Sequence, residues 1–418
     1  MIKLFKNPAQ IVTVNTNGTN CKRKDELNDI GLLENHFIVA EDGIIKDFLS
    51  NKSRKKIKDA EIVDLAWKVV LPGLVESHTH TAFAGSRAEE FKLKLKGVGY
   101  EEIAKKGGGI NFTVMAVRKS SFDELVKLVI PKINYFISQG ITTLEIKTGY
   151  GLSYYDEMKL LEVINHLNNI FPIEIIATFL GAHTFPPEYK NDHDKYIYLI
   201  NNTMLPYIAE KNLATFCDAF CESTAFSTTQ VDKIFEKASE LGLKIKLHTD
   251  QFNSIGGIDV ALKHNAISAD HLEVVTEPDI KKISKSETVA VLLPGVSFFL
   301  GYDYAPARKL IEGGAIVALS TDYNPGSSHI ANLNFIMSLA ALNMGMTIEE
   351  TISAVTINAA KALDLHESIG SLEIGKKADF AVFDAAEYSE IVYQVGKNLN
   401  CMTFKEGKLI YKSPYLAV

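Results

Sequence analysis

Between residues 69 and 320, apolar runs of four to nine residues recur, separated by longer stretches with helical spacing of apolar positions. Eight of these runs read as strands: Val69–Ser77, Gly140–Ile146, Ile173–Leu180, Ala214–Cys221, Leu243–Leu247, Ala266–Ala269, Thr288–Leu293 and Ala315–Ser320. A strand buried on both faces is apolar throughout rather than alternating, and strands alternating with helices predict βα units on a parallel sheet. Eight units predict a (β/α)8, TIM-like barrel. Ser121–Glu124 and Thr347–Glu350 match capping boxes ahead of amphipathic runs. Pro131 lies inside the first of these helices and predicts a kink or a late start.

The two ends differ from the middle. Gln10–Val14 and His36–Ala40 are short extended pieces, and Glu41-Asp42-Gly43 is a hairpin turn signal. Ala378–Asp384, Cys401–Phe404 and Lys408–Tyr411 repeat the pattern around Lys405-Glu406-Gly407. The expected organisation is a small β-sandwich built from both termini, residues 1–68 plus 365–418, around a barrel domain of residues 69–364. Lys92–Asn111 mixes lysines with glycines and serves either as a loop over the substrate or as a solvated surface loop.

Composition narrows the function class. With 46% hydrophobic and 23% charged residues, the chain is neither disordered nor a small disulfide scaffold. The 44 basic against 51 acidic residues leave a net charge of −7, which gives no footprint for a nucleic-acid backbone. Four cysteines and no charged-then-apolar leader at Met1–Asn15 predict a cytoplasmic protein. No apolar run approaches the ~18 residues of a membrane span, so no membrane partner is expected.

In a barrel of this kind the active site gathers at the C-terminal ends of the strands. The polar residues that stop the apolar runs are therefore the candidates. They include Glu76-Ser77-His78-Thr79-His80, Thr148-Gly149-Tyr150, Gly181-Ala182-His183, Cys221-Glu222, His248-Thr249-Asp250-Gln251, Asp270-His271 and Thr321-Asp322-Tyr323-Asn324. Alternate strand residues share a face, so His78 and His80 can reach one ion. With His248 and Asp322 they make three imidazoles and one carboxylate, a zinc or iron ligand set. His36, His166, His193, His264 and His366 lie off the strand ends and read as surface or packing residues, while Cys217, Cys221, Trp67, Phe298 and Phe299 read as packing.

Leu71-Pro-Gly-Leu-Val-Glu-Ser-His-Thr-His80, the strand-end His248 and His271, Asp322 and the tail Gly375-Lys-Lys-Ala-Asp-Phe380 resemble the metal-dependent amidohydrolase superfamily. Within it, His80–Arg87, Glu145–Leu152, Gly181–His183 and Thr321–Ser327 resemble the branch that opens imidazolone propanoate in histidine degradation. The resemblance implies ring C–N hydrolysis to N-formimidoyl-L-glutamate, with zinc or iron on His78, His80, His248 and Asp322. It also implies substrate contacts from Arg87, Tyr150, His183, Gln251, Asn324, Gly326 and Ser327. Arg87 offers a fork to the propionate, Asp322 is the candidate base and His271 the proton donor or charge stabiliser. Gln251 is an amide and cannot carry a proton at neutral pH. Relatives with two metals carry a carboxylated lysine at strand four. Here that end is Phe220-Cys221-Glu222-Ser223, so one Zn2+ or Fe3+ per subunit is expected, with Glu222 a candidate ligand for a second ion. A homodimer is expected. Deamination or ring hydrolysis of a purine, pyrimidine or triazine is the alternative activity, and a barrel without metal or catalysis is the alternative class.

Overall fold

The structure, a computed structural model, describes residues 1–53, 55, 57–97 and 108–415. Its central sheet has eight strands in chain order, every neighbouring pair parallel: Leu74–Glu76, Ile141–Lys147, Glu174–Ala182, Phe216–Cys221, Lys244–Thr249, Ser268–His271, Val289–Leu292 and Ile316–Leu319. The sheet closes into the (β/α)8 barrel where Thr79 bridges Tyr323 in parallel, with Asp322 N donating to His78 O (3.1 Å) and His80 N to Tyr323 O (3.0 Å). Strands such as Val289–Leu292 and Ile316–Leu319 are buried along their whole length, which is why they appear as unbroken apolar runs in the sequence.

The helices cover the barrel with one apolar stripe each. Phe122–Ile137 buries Leu125, Val129, Ile133 and Phe136, spaced by three or four residues. Each such side chain contributes about 1.5–3 kcal/mol when fully buried. Ser121 and Thr347 form the capping boxes expected of them. The helix starts at its cap and runs through Pro131, so the proline does not delay it.

A second layer pair is made from both chain ends. A four-stranded sheet (Ile44–Ser50, His36–Glu41, Ile2–Lys6, Glu61–Asp64) faces a six-stranded one (Lys408–Lys412, Asn400–Lys405, Phe380–Phe383, Val69–Pro72, Gln10–Val12, Leu32–Leu33). Phe5 of the first packs edge-on against Phe380 (4.8 Å) and Phe404 (5.3 Å) of the second, which ties the N-terminus to the C-terminus. At the Glu41–Gly43 turn, Asp42 and Gly43 take positive φ (48° and 83°), as a tight hairpin demands.

Three expectations need correction. The run Val69–Ser77 is two strands. Gly73 N donates to Asp379 O of the terminal sheet (2.9 Å), and Leu74 N donates to Gly140 O of the barrel (2.9 Å), so the chain changes sheets within one residue. A Cβ at Gly73 would stand 2.3 Å from Thr142 Oγ1, which explains the glycine at the crossing. Trp67 is 70% exposed rather than packed, because Ala66 and Trp67 form a left-handed turn (φ 49° and 61°) that ends the sandwich strand. Phe298 is also mostly exposed, touching Phe335, while Phe299 stacks on Phe91 at 5.0 Å. Of the Lys92–Asn111 stretch, residues up to Leu95 continue the helix Ala88–Leu95, and Gly109 caps the helix Ile110–Lys119. Residues 98–107, on which the choice between substrate loop and surface loop turns, lie outside the described residues.

Candidate active site

Four candidate ligand atoms converge where the first, fifth and eighth strands end. Asp322 Oδ1 lies 3.5 Å from His78 Nε2 and 3.4 Å from His80 Nε2, and His80 Nε2 lies 3.4 Å from His248 Nε2. His78 and His80 follow the strand rather than lying in it; the Thr79–Tyr323 bridge keeps that path extended, so both rings face the same point. All four side chains are buried, and His78 Nε2 and Asp322 Oδ1 have no hydrogen-bond partner among the described residues. Leaving such an atom unsatisfied costs about 1–3 kcal/mol. Two of them aimed at one centre, with two further imidazole nitrogens, fit a metal ion, and nitrogen–oxygen donors of this kind suit zinc or iron. His271 stands beside them, its ring centroid 5.4 Å from that of His248 and its Nδ1 3.4 Å from Glu273.

Buried carboxylates orient these histidines: Asp270, already a strand-end candidate in the sequence, and Asp218, which lies inside a strand and was not one. His78 Nδ1 donates to Asp270 Oδ2 at 2.6 Å, and His248 Nδ1 donates to Asp218 at 3.1 Å. Each contact places the ring proton on Nδ1 and leaves Nε2 as the lone-pair nitrogen that a metal needs. The available signal was an aspartate inside an otherwise apolar strand, as in Phe216-Cys-Asp-Ala-Phe-Cys221.

A cavity of about 300 Å³ opens onto the ligand set. Arg87, Tyr150, His183, Gln251, Asn324, Gly326 and Ser327 all line it, together with His271 and Lys94. Arg87 is already half engaged: Nε and Nη2 donate to Glu90 at 2.9 and 2.5 Å, so among the described residues Nη1 and the second N–H of Nη2 are left for a ligand. A Cβ on Gly326 would sit 1.9 Å from Arg87 Nη1, so the glycine's first task is to make room for the guanidinium. Asn324 donates to Asp322 Oδ2 (3.0 Å) and accepts from Gly326 N and Ser327 N (both 2.7 Å), holding that carboxyl and the loop together. Glu157 holds the Tyr150 loop by accepting from Gly151 N (2.7 Å) and Leu152 N (2.8 Å). Glu222 does the same beyond Gln251. Its two oxygens accept from Ser223 N, Phe252 N, Asn253 N and Asn253 Nδ2 at 2.7–3.0 Å, so it fastens a loop and has no free oxygen for a second ion.

Comparison with known proteins agrees with this architecture. The amidohydrolase family profile matches residues 69–410. The imidazolonepropionase of Alkaliphilus oremlandii is 45% identical over 410 residues, covering 97% of each chain, and that of Fusobacterium nucleatum is 42% identical over 97% of this chain and 98% of its own. The chain belongs to the amidohydrolase family, in its imidazolonepropionase branch. An adenosine deaminase from Xanthomonas campestris, solved with bound zinc, superposes with a TM-score of 0.72 over 97% of this chain and 92% of its own at 17% identity, and so shares the fold.

The electrostatics of this amidohydrolase site separate its groups by environment. Burial, helped by Lys147 for His78 and by His183 for His80, holds both imidazoles well below their ordinary pKa, which favours the neutral form that metal binding requires. Burial also lowers His183 to about 4; its Nδ1 donates to Gly149 O (3.0 Å), leaving Nε2 as an acceptor. His271 goes the other way: burial opposes its charge, but Glu273, Asp322 and Asp270 more than offset this and raise its pKa. Burial pushes Asp322 up to about 7. A histidine biased toward its protonated form beside a carboxyl that titrates near neutrality is an acid–base arrangement. Asp322, Asp250 and His271 also hold positive φ (48°, 54° and 88°), a conformation costing about 1–3 kcal/mol each that tends to gather at active sites.

Proposed function

We propose that the chain hydrolyses the ring C–N bond of 4-imidazolone-5-propanoate to give N-formimidoyl-L-glutamate, in L-histidine degradation. The observation that carries this is one cavity lined both by cations, Arg87 and Lys94, which meet at Glu90, and by His80, His248 and Asp322 of the histidine–aspartate set. A small ring with a propionate tail needs one cation for its tail and an electrophilic centre for its ring. The high identity of the chain to imidazolonepropionases along nearly its whole length supports the same assignment.

His78, His80, His248 and Asp322 would hold the ion. When bound, a zinc or iron ion supplies Lewis acidity and lowers the pKa of water to about 7. Asp322 Oδ1 accepts the proton of the attacking water, and Asn324 keeps that carboxyl turned toward the centre. Water adds to the ring carbonyl carbon, the C–N bond breaks, and His271, held at Nδ1 by Glu273, gives a proton to the departing nitrogen; the proton that Asp322 took from water balances the one His271 gives, and exchange with solvent restores both groups. The free end of the Arg87 fork binds the propionate, and Tyr150, His183, Gln251, Gly326 and Ser327 enclose the ring and tail. We extend the assignment to one Zn2+ or Fe3+ per subunit, a homodimer and a cytoplasmic location. The four unpaired cysteines accord with a reducing compartment, and among the described residues no helix is long and apolar enough to cross a membrane.

The test is turnover of metal-loaded protein offered imidazolone propanoate, guanine and cytosine in parallel, followed by loss of ring absorbance. Consumption of the first alone is expected. Turnover of guanine or cytosine with the first untouched would replace this assignment with a deaminase.

A further inference from the structure

Beneath the ligand set, five charged side chains from four strands meet inside the barrel: Glu145, Lys147, Asp218, Lys246 and Asp270, all fully buried. Barrel interiors are ordinarily filled with branched apolar side chains, and a buried ion pair is often no better for stability than hydrophobic residues of the same volume. The hydrolytic steps above use none of the two lysines. Their contacts differ in a telling way. Lys246 Nζ reaches Glu145 Oε1 (3.1 Å) and the Ser77 carbonyl (2.9 Å). Lys147 Nζ reaches Asp218 Oδ2 at 2.8 Å, Glu145 at 3.0 Å and Asp270 Oδ2 at 3.7 Å.

Asp218 and Asp270 are the two carboxylates that orient His248 and His78. One ammonium therefore touches both carboxylate–histidine pairs. Alternation places it there: Glu145 and Lys147 share one face of the second strand, and Lys246 and His248 share one face of the fifth. Without the ammonium the two aspartates would repel each other in a medium of low dielectric, and either could turn from its imidazole. We infer that Lys147 is a positioning residue for the metal, pinning Asp218 and Asp270 so that His248 and His78 both present Nε2 to a single ion. This rests on the ligand assignment proposed above.

The test measures zinc affinity rather than activity, by titrating the metal-free full chain with zinc against a chromophoric chelator. Lys147→Met is expected to weaken zinc binding by roughly 10–100-fold, the range typical for loss of a group that orients metal ligands. In an Asp218→Asn/Asp270→Asn background the same substitution is expected to weaken it no further, because the lysine acts through those two carboxylates. If Lys147→Met alone does not fold, Lys147→Met/Glu145→Gln removes one charge of each sign and is read in the same way. A folded variant with a lower Tm and wild-type zinc affinity overturns the inference, since the lysine then only balances charge. His248→Ala is run alongside: if it too keeps wild-type affinity, the ligand assignment fails, whereas its loss with Lys147→Met unaffected leaves that assignment standing and removes this inference alone.

Discussion

Asp322→Asn is expected to lower kcat by at least about 10³-fold in a protein that still folds, because loss of a general base alone costs 10²–10⁴-fold. The amide has the carboxyl's shape, so the packing of this buried site survives. What changes is chemistry. Oδ1, which lies within 3.5 Å of both His78 Nε2 and His80 Nε2, is no longer an anion that can take a proton or hold a cation. Asn324 Nδ2, which donates to Oδ2 at 3.0 Å, keeps its partner if the amide oxygen turns toward it, and then an NH2 group points at the centre. Turnover should therefore fall together with metal content, while circular dichroism and Tm remain near those of the parent. A variant that keeps kcat within tenfold would remove Asp322 from the chemistry.

Arg87→Met should act on substrate binding instead. Methionine keeps the aliphatic bulk and removes the fork, and a hydrogen bond to a charged group is worth about 1.5–3 kcal/mol. At about 1.4 kcal/mol per tenfold, KM should rise by roughly 10–150-fold, with a much smaller change in kcat. The pairing of Arg87 with Glu90 complicates a single substitution, because it leaves a mostly buried carboxylate without its strongest partner. Arg87→Met/Glu90→Gln resolves this. If the guanidinium binds the propionate, the double variant keeps the high KM; if Arg87 serves only to neutralise Glu90, the double variant recovers the parental value.

How much of this was readable from the chain follows from what leaves a local trace. Barrel strands are buried on both sides and stand out as apolar runs, and the site residues stand where those runs stop, so His78, His80, His183, His248, His271 and Asp322 could be found by position. The division of Val69–Glu76 between two sheets leaves no such trace, because Val69–Val75 stays apolar across a change that only hydrogen-bond partners record. Nor do the buried charges declare themselves. Lys147 and Asp218 lie on different strands, 71 positions apart, and only the barrel brings them to 2.8 Å. The loop-fastening roles of Glu157 and Glu222 are hidden for a related reason: a carboxylate accepting backbone N–H groups looks, in sequence, like any other strand-end or helical glutamate, and Glu222 even resembles a ligand.

The central claim is that this cavity adds water to an imidazolone ring and opens it without expelling ammonia. It is tested most directly by mass spectrometry of the products formed from imidazolone propanoate by the metal-loaded protein, with free ammonia assayed in the same sample. The predicted result is a single product equal in mass to substrate plus one water, with no ammonia released. Ammonia appearing in step with substrate loss, or substrate recovered intact, would contradict it.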